Sequence, residues 1–125
     1  MKKIIVTKNA PEPIGPYSQA VQTGNLIFVS GQVAKDPATG NMVVDTIQNE
    51  TRQVMQNVKN ILETAGSNLD KVAKTTIFLT NMDDFAKMNE VYGSFFNGNY
   101  PARETVQVSR LPLNVNVEIS VIAEV

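Results

Sequence analysis

Few residue types in this chain could carry chemistry. The 125 residues include no cysteine and no histidine. Their absence excludes a Cys/His zinc site, a thiolate nucleophile and a Ser-His-Asp triad, because each needs a thiolate or an imidazole. Any reaction must therefore use Arg, Lys, Glu, Asp, Tyr, Ser or Thr side chains, backbone groups, water or an oxygen-bound metal.

Arg103 and Glu118 are the leading candidates. Arg103 follows a Tyr-Pro-Ala turn at the predicted entrance to a strand, where a guanidinium can hold a carboxylate through two parallel hydrogen bonds. The alternative is a solvated arginine at a strand end. Glu118 lies among valines and isoleucines, so it either faces solvent from a half-exposed sheet or is buried and needs a partner. If it is buried, Arg103 is the candidate partner by charge.

Three further positions could line a site. Tyr17 follows the rigid Gly-Pro turn that ends at residue 16, and it could equally be a structural, hydrogen-bonded tyrosine. Ser30 and Gly31 end an apolar strand, where the glycine allows a close approach to the backbone or marks a β-bulge or a strand-terminating turn. Asp83 and Asp84 could ligate a metal, but two acids at a helix start are expected from the helix dipole alone, and we predict no metal site.

Composition and charge limit the class of protein. The formal net charge of −1 gives no basic field for binding nucleic acid. No stretch is long and apolar enough to span a bilayer, and the apolar run at the N-terminus stops at Thr7. We expect one domain over residues 1–125, in a soluble protein located in the cytoplasm.

Hydrophobic periodicity predicts two helices and seven short strands. The predicted strands cover residues 4–7, 17–22, 26–31, 42–44, 72–79, 104–109 and 114–125, and the predicted helices cover residues 45–65 and 81–96. Asp45 and Gln48 predict a capping box, and Gly66 suits the left-handed position after the first helix. The apolar stripe of the second helix, which includes Phe85, predicts core packing.

The last predicted strand indicates how the sheet is packed. Its odd-numbered residues from Val115 to Val125 are apolar and share one face. Two helices can cover that face, but the opposite face still carries Ile122 together with apolar residues of the neighbouring strands. We therefore predict an α+β fold, a mixed sheet with two helices on one face, whose uncovered face meets other copies of the chain.

Several short motifs together resemble one family. They are Asn9-Ala10-Pro11, Ile14 to Ala20, Val29-Ser30-Gly31-Gln32, Asn57 to Leu62, Val72 to Phe78, Asp84-Phe85-Ala86, Asn89-Glu90-Val91-Tyr92, Tyr100-Pro101-Ala102-Arg103, Arg110-Leu111-Pro112 and Val117-Glu118-Ile119. Over essentially its whole length the chain resembles the RidA (YjgF/YER057c/UK114) family of enamine/imine deaminases. The resemblance implies a chorismate-mutase-like fold, a homotrimer with sites between subunits, and no cofactor.

The resemblance also implies an activity and a set of site residues. The activity is hydrolysis of 2-aminoacrylate, 2-aminocrotonate and their imine tautomers to 2-oxo acids and ammonia. Arg103 would clamp the substrate carboxylate, Glu118 would orient the attacking water, and the other residues of the substrate site would be Tyr17, Ser30, Gly31, Thr105 and Phe85. Many relatives have cysteine two residues after the arginine, where this chain has Thr105.

Two other functions stay open at this stage. One is a non-catalytic module that binds 2-oxo acids or other small carboxylates in the same cleft. The other is a translation inhibitor or ribonuclease, which the charge of −1 and the missing histidine disfavour.

Overall fold

The computed structural model describes all 125 residues. The strands are β1 (Lys3–Ile5), β2 (Ala20–Thr23), β3 (Leu26–Gln32), β4 (Val72–Leu79), β5 (Ala102–Gln107) and β6 (Val117–Glu124). The helices are α1 (Ile47–Thr64) and α2 (Phe85–Ser94), and 3-10 turns cover Leu69–Lys71, Met82–Asp84 and Pro112–Asn114. The predicted α+β class is confirmed.

The six strands form one mixed sheet in the order β1-β2-β3-β6-β4-β5. β5 runs parallel to β4, and every other neighbouring pair is antiparallel. The register between β3 and β6 shifts between Val29 and Gln32. The predicted alternative of a β-bulge at Ser30 and Gly31 is therefore confirmed, and this irregularity lies beside Glu118.

Both helices pack on one face of the sheet. α1 contributes a stripe of fully buried residues that includes Val54, Val58 and Ile61. In β6 the odd-numbered residues from Val117 to Ala123 are buried, as predicted, whereas Val125 lies beyond the strand and is exposed. The other face of the sheet is uncovered, and Phe28 and Val106 are among its exposed apolar side chains.

Several predicted elements were wrong or misplaced. The helix predicted from residue 81 begins at Phe85, after the 3-10 turn Met82–Asp84, and the strand predicted at residues 104–109 spans Ala102–Gln107. Residues 42–44 form no strand, since Met42 makes only one isolated bridge, to Lys35. The strand predicted from Tyr17 begins at Ala20, which leaves Tyr17 in the preceding loop. β6 begins at Val117 and not at Asn114, because Leu113 and Asn114 adopt positive φ angles of 61° and 54° that no strand accepts.

The predicted N-cap of α1 and the predicted core position of Phe85 were also wrong. Thr46, and not Asp45, caps α1: its hydroxyl accepts the Asn49 N–H, while Asp45 accepts a bond from the Asn49 side chain. Gly66 has φ 82°, as predicted. Phe85, predicted to be core, is partly exposed because it begins α2 at the edge of the sheet, whereas Met88, Tyr92 and Phe96 are buried.

Candidate active site

A cavity of about 440 Å³ opens on the uncovered side of the sheet. Its lining residues are Ile14, Gly15, Tyr17, Ser30, Gly31, Val33, Pro112, Leu113 and Glu118. The loop before β2, the bulge in β3, the turn before β6 and the first residues of β6 meet here. The structure thus brings together four of the residues singled out from the sequence: Tyr17, Ser30, Gly31 and Glu118.

Glu118 lies across the backbone of β3 at Gly31. A Cβ atom at position 31 would stand 2.6 Å from both Cδ and Oε2 of Glu118, so only glycine leaves room for the carboxyl group in this place. The carboxyl is half-buried, and burial raises the pKa of Glu118 above its ordinary value. No cation of the same chain offsets that effect, because the one ion pair in the structure joins Lys74 to Glu104.

The hydroxyl groups of the cavity have defined roles as donors or acceptors. Ser30 Oγ donates to the carbonyl of Ser18 at 2.6 Å. Since its only proton is committed there, Ser30 presents lone pairs to the cavity and acts as an acceptor. Tyr17 Oη accepts the Ile14 N–H at 3.4 Å, so its own proton is free to donate.

Arg103 occupies a different environment on edge strand β5. Its Nη1 donates to Asn89 Oδ1 of α2 at 2.7 Å. The guanidinium also lies 5.0 Å from the ring centre of Tyr92 and 5.6 Å from that of Phe85, which is cation–π geometry. The side chain of Arg103 is therefore held against α2 by three neighbours.

Tyr92 is itself fixed. Its hydroxyl donates to Thr75 Oγ1 at 3.0 Å. Burial raises the pKa of Tyr92, although the bond to Thr75 and the charge of Arg103 act in the opposite direction. The phenol therefore stays neutral and serves as a rigid platform for the guanidinium.

Thr105 lies two residues after Arg103 on the same face of β5. It pairs with Ile77, a fully buried residue beneath the helices. Its Oγ1 is buried and makes no hydrogen bond. The Thr105 hydroxyl thus lies on the same face of β5 as Arg103 but has no partner within the chain.

The predicted pairing of Arg103 with Glu118 does not occur within one chain. Arg103 pairs with Thr75, a residue facing the helices, whereas Glu118 pairs with Phe78 on the uncovered face. The two side chains project from opposite sides of the sheet. Within one chain no arginine lies beside Glu118, and the pairing of the two residues stays a prediction for an assembly of several subunits.

Sequence analysis did not single out two residues that contribute to this region, Asn89 and Glu50. Asn89 bonds Arg103, and its spacing of four residues from Phe85 and three from Tyr92 was a usable signal, because such residues share one helix face. Glu50 of α1 is fully buried and bonds the residues just before Glu118. A glutamate within the apolar stripe of α1 was visible in the sequence.

The structure contains no group of three or more His, Cys, Asp or Glu side chains that could hold a metal ion. Asp83 and Asp84 lie in the 3-10 turn that leads into α2. No helix has the length and apolar character to cross a membrane.

Comparison with known proteins shows the family and the fold of this chain. A family model described as Endoribonuclease L-PSP matches residues 7–125. A RutC family protein of Pyrococcus horikoshii is 54% identical over 98% of both chains. A mouse protein named 2-iminobutanoate/2-iminopropanoate deaminase is 45% identical over 98% of this chain and 91% of its own. A solved structure from Yersinia pestis, described as a conserved Rid family protein of unknown function, is 47% identical, covers all of both chains and has a TM-score of 0.97.

This chain belongs to the RidA family. The match to a Rid structure over the full length confirms the single mixed sheet with two helices on one face. The family model, which matches residues 7–125, also covers every residue of the cavity and of the Arg103 cluster. The names of its relatives differ, however, so the reaction of this chain must be argued from its own site.

Proposed function

We propose that this protein is a cofactor-independent hydrolase that acts in the cytoplasm. It would convert 2-imino acids and their enamine tautomers, such as 2-aminoacrylate and 2-aminocrotonate, to 2-oxo acids and ammonia. The observation that carries the proposal is a carboxyl group, Glu118, held in a small cavity beside acceptor Ser30 and donor Tyr17. The name of the mouse relative supports the same reaction.

The reaction needs little beyond positioning. The oxygen of one water adds to the imine carbon and gives up a proton, while the electron pair of the C=N bond moves to nitrogen, which takes up one proton. In the resulting carbinolamine the hydroxyl proton is transferred to the amino nitrogen, the C–N bond breaks to release ammonia, and the C=O bond of the 2-oxo acid forms. Because the imine carbon is already electrophilic, alignment of water and substrate can supply most of the rate enhancement.

Glu118 is the group that moves protons in this scheme. Burial raises the pKa of Glu118 in the single chain, and an arginine supplied by a second subunit would lower it again, so in the assembled site the carboxylate would take a proton from the attacking water and return it to the departing nitrogen. Ser30 offers only lone pairs and would accept an N–H of the substrate or an O–H of the water. The Glu118 carboxylate and the Ser30 hydroxyl are both acceptors, so they would bind the N–H groups of the substrate and not its carboxylate.

Arg103 would bind the substrate carboxylate. The contacts with Asn89, Tyr92 and Phe85 hold the guanidinium in one orientation, so its remaining N–H groups are preorganised for a bidentate bond. Thr105 lies on the same face of β5 as Arg103, and Phe85 of α2 contacts the Arg103 guanidinium. These two residues would form the adjacent walls of the carboxylate site.

A complete site then requires two subunits. Arg103 and Glu118 lie on opposite faces of the sheet, and one small substrate cannot touch both in a single chain. The proposal is a homotrimer in which the uncovered sheet faces pack inward and each site takes Glu118 from one subunit and Arg103 from the next. The exposed apolar residues of the uncovered face, such as Phe28 and Val106, support this arrangement.

The deciding experiment measures the lifetime of 2-aminoacrylate released by a coupled dehydratase. The wild-type protein should shorten that lifetime, and Arg103→Ala should not. A wild-type protein that leaves the lifetime unchanged contradicts the proposal. If it still bound 2-oxobutanoate, a non-catalytic carboxylate-binding module would be the better description.

The description of the family model favours a second candidate, an endoribonuclease. The charge of −1 and the absence of histidine weigh against it. RNA cleavage that falls steeply with salt and disappears in Glu118→Gln would establish this activity.

A further inference from the structure

Glu50 is an acidic residue buried without a cation. It belongs to the first turn of α1 and has no solvent exposure. Its Oε2 accepts the main-chain N–H groups of Asn116 at 2.7 Å and Val117 at 3.2 Å, and its Oε1 accepts Asn116 Nδ2 at 2.7 Å. Three donors thus compensate the buried carboxylate, and all three come from two consecutive residues.

These two residues join a turn of the cavity to Glu118. Pro112 and Leu113 line the cavity. Leu113 holds a positive φ angle that is unfavourable for its branched side chain, and Asn114 after it holds a positive φ angle that asparagine adopts more readily. Val117 begins β6, and Glu118 follows it. The segment between the strained turn and the strand would be free to shift along the sheet if nothing fixed residues 116 and 117.

Glu50 supplies this restraint from the helix side of the sheet. Val117 points toward α1 and is fully buried, so the next side chain, Glu118, must point to the opposite face. The carbonyl of Asn116 also accepts the N–H of Thr80 at the end of β4. The peptide groups around residue 116 are therefore held from two sides, and the direction of Glu118 toward Gly31 follows from that anchoring.

We propose that Glu50 is a positioning residue for Glu118, acting through the main chain of Asn116 and Val117. The inference rests on the deaminase function proposed above, because Glu118 is the proton-moving group there. Glu50 touches neither the cavity nor the substrate site, and its effect on the reaction would be confined to the placement of the Glu118 carboxyl.

Two substitutions of similar size, Asn116→Asp and Glu50→Gln, test whether Glu50 positions Glu118. In Asn116→Asp, a carboxylate replaces the amide that donates to Glu50, and two acceptors then face each other at 2.7 Å. Repulsion should displace residues 116–118 and lower kcat by about ten- to a hundredfold, while the affinity for 2-oxobutanoate, measured by calorimetry, stays within about twofold because Arg103 is untouched.

The double variant Glu50→Gln/Asn116→Asp should restore the hydrogen bond between the side chains of residues 50 and 116. The glutamine oxygen can accept both main-chain N–H groups, and its amide can donate to the new aspartate. We expect kcat to return to within about threefold of wild type. Asn68→Asp is the matched control, since it adds the same charge at an exposed cap far from the cavity and should change nothing.

A readout independent of turnover accompanies the kinetics. The ¹³Cδ resonance of labelled Glu118, assigned with Glu118→Gln, should move in Asn116→Asp and return in the double variant. If the wild type does not hydrolyse imines, the proposed function fails, and the resonance still tests the role of Glu50. Unchanged kcat and resonance in Asn116→Asp, or no recovery in the double variant, would overturn the inference.

Discussion

The side chains of Arg103 and Glu118 project from opposite faces of one β-sheet. Arg103 lies beside Thr75 under the helices and contacts Asn89 and Tyr92, whereas Glu118 lies beside Phe78 and extends over Gly31. Each side chain is held in place by its own set of neighbours. Under the proposed function these two groups are half-sites, one for a carboxylate and one for proton transfer, which would meet when two copies associate.

The carboxylate half-site predicts a large loss of activity in Arg103→Ala. Without the guanidinium the substrate loses its charged anchor and its orientation, and kcat/KM should fall by about a hundredfold or more in the coupled imine assay. Arg103→Lys should recover little, because an ammonium cannot reproduce a bidentate bond.

Arg52→Ala is the control for this loss. Arg52 is an exposed arginine of α1 that bonds only Asn49, so its removal should leave imine hydrolysis at the wild-type rate. Equal activity of Arg103→Ala and Arg52→Ala would exclude Arg103 as the carboxylate clamp.

The close contact at Gly31 predicts an activity loss without unfolding. In Gly31→Ala the new Cβ would overlap the Glu118 carboxyl, which can swing away because it ends a flexible side chain. We expect kcat to fall by about tenfold or more, with a midpoint of thermal unfolding within about 3 °C of wild type. Gly93→Ala is the matched control: its Cβ meets nothing within 4 Å in α2, so it should preserve activity and raise stability by about 1 kcal/mol.

The titration of Glu118 tests whether the two half-sites meet. Burial alone raises the pKa of Glu118 in the single chain. A guanidinium from a second subunit would counteract that rise, because a nearby positive charge favours the ionised carboxylate. The Glu118 pKa, measured by ¹³C NMR, should therefore be higher in Arg103→Ala than in the wild-type assembly. An identical pKa in both proteins would mean that the arginine does not reach Glu118.

The rise that burial causes in the pKa of Glu118 also determines how the stability of the folded protein changes with pH. A carboxyl whose pKa is raised in the folded state binds more protons there than in the unfolded chain. The contribution of Glu118 to the stability of the fold is then fully present below the pKa that this carboxyl has in the unfolded chain. It is lost as the pH rises through the pKa that the carboxyl has in the folded protein. In Arg103→Ala, where burial acts alone, Glu118→Gln should increase thermal stability more at pH 7 than at pH 4. A stability difference that does not change with pH would argue against the raised pKa.

Thr105 offers a separate test of the proposed carboxylate site. Its buried hydroxyl has no hydrogen-bond partner, so Thr105→Val should raise the free energy of unfolding by about 1 kcal/mol by removing an unsatisfied polar group. If the hydroxyl bonds the substrate carboxylate, kcat/KM should also fall by about tenfold. A variant that gains stability and keeps full activity would limit the role of Thr105 to packing.

The sequence predicts individual elements better than their spatial relations. The alternation of β6 predicted the side on which Glu118 lies, and the Ser30-Gly31 dipeptide suggested the bulge. The face of Arg103 was not predictable, because the sides of β5 and β6 are related only through their pairing with β4, which is a long-range property. The start of β6 was misplaced for a similar reason, since the positive φ angles at Leu113 and Asn114 and the buried Glu50 anchor are set by tertiary contacts.

Subunit complementation tests the shared site most directly. Arg103→Ala retains Glu118 and Glu118→Gln retains Arg103, so each homotrimer should be nearly inactive by itself. When the two are mixed, unfolded and refolded together, each site draws its arginine and its glutamate independently from different subunits. About one site in four then carries both native residues, and activity should recover to about a quarter of wild type. Mixing without refolding is the control and should restore nothing. Failure to recover activity in mixed assemblies of trimer mass, measured by light scattering, would place both residues outside a common inter-subunit site.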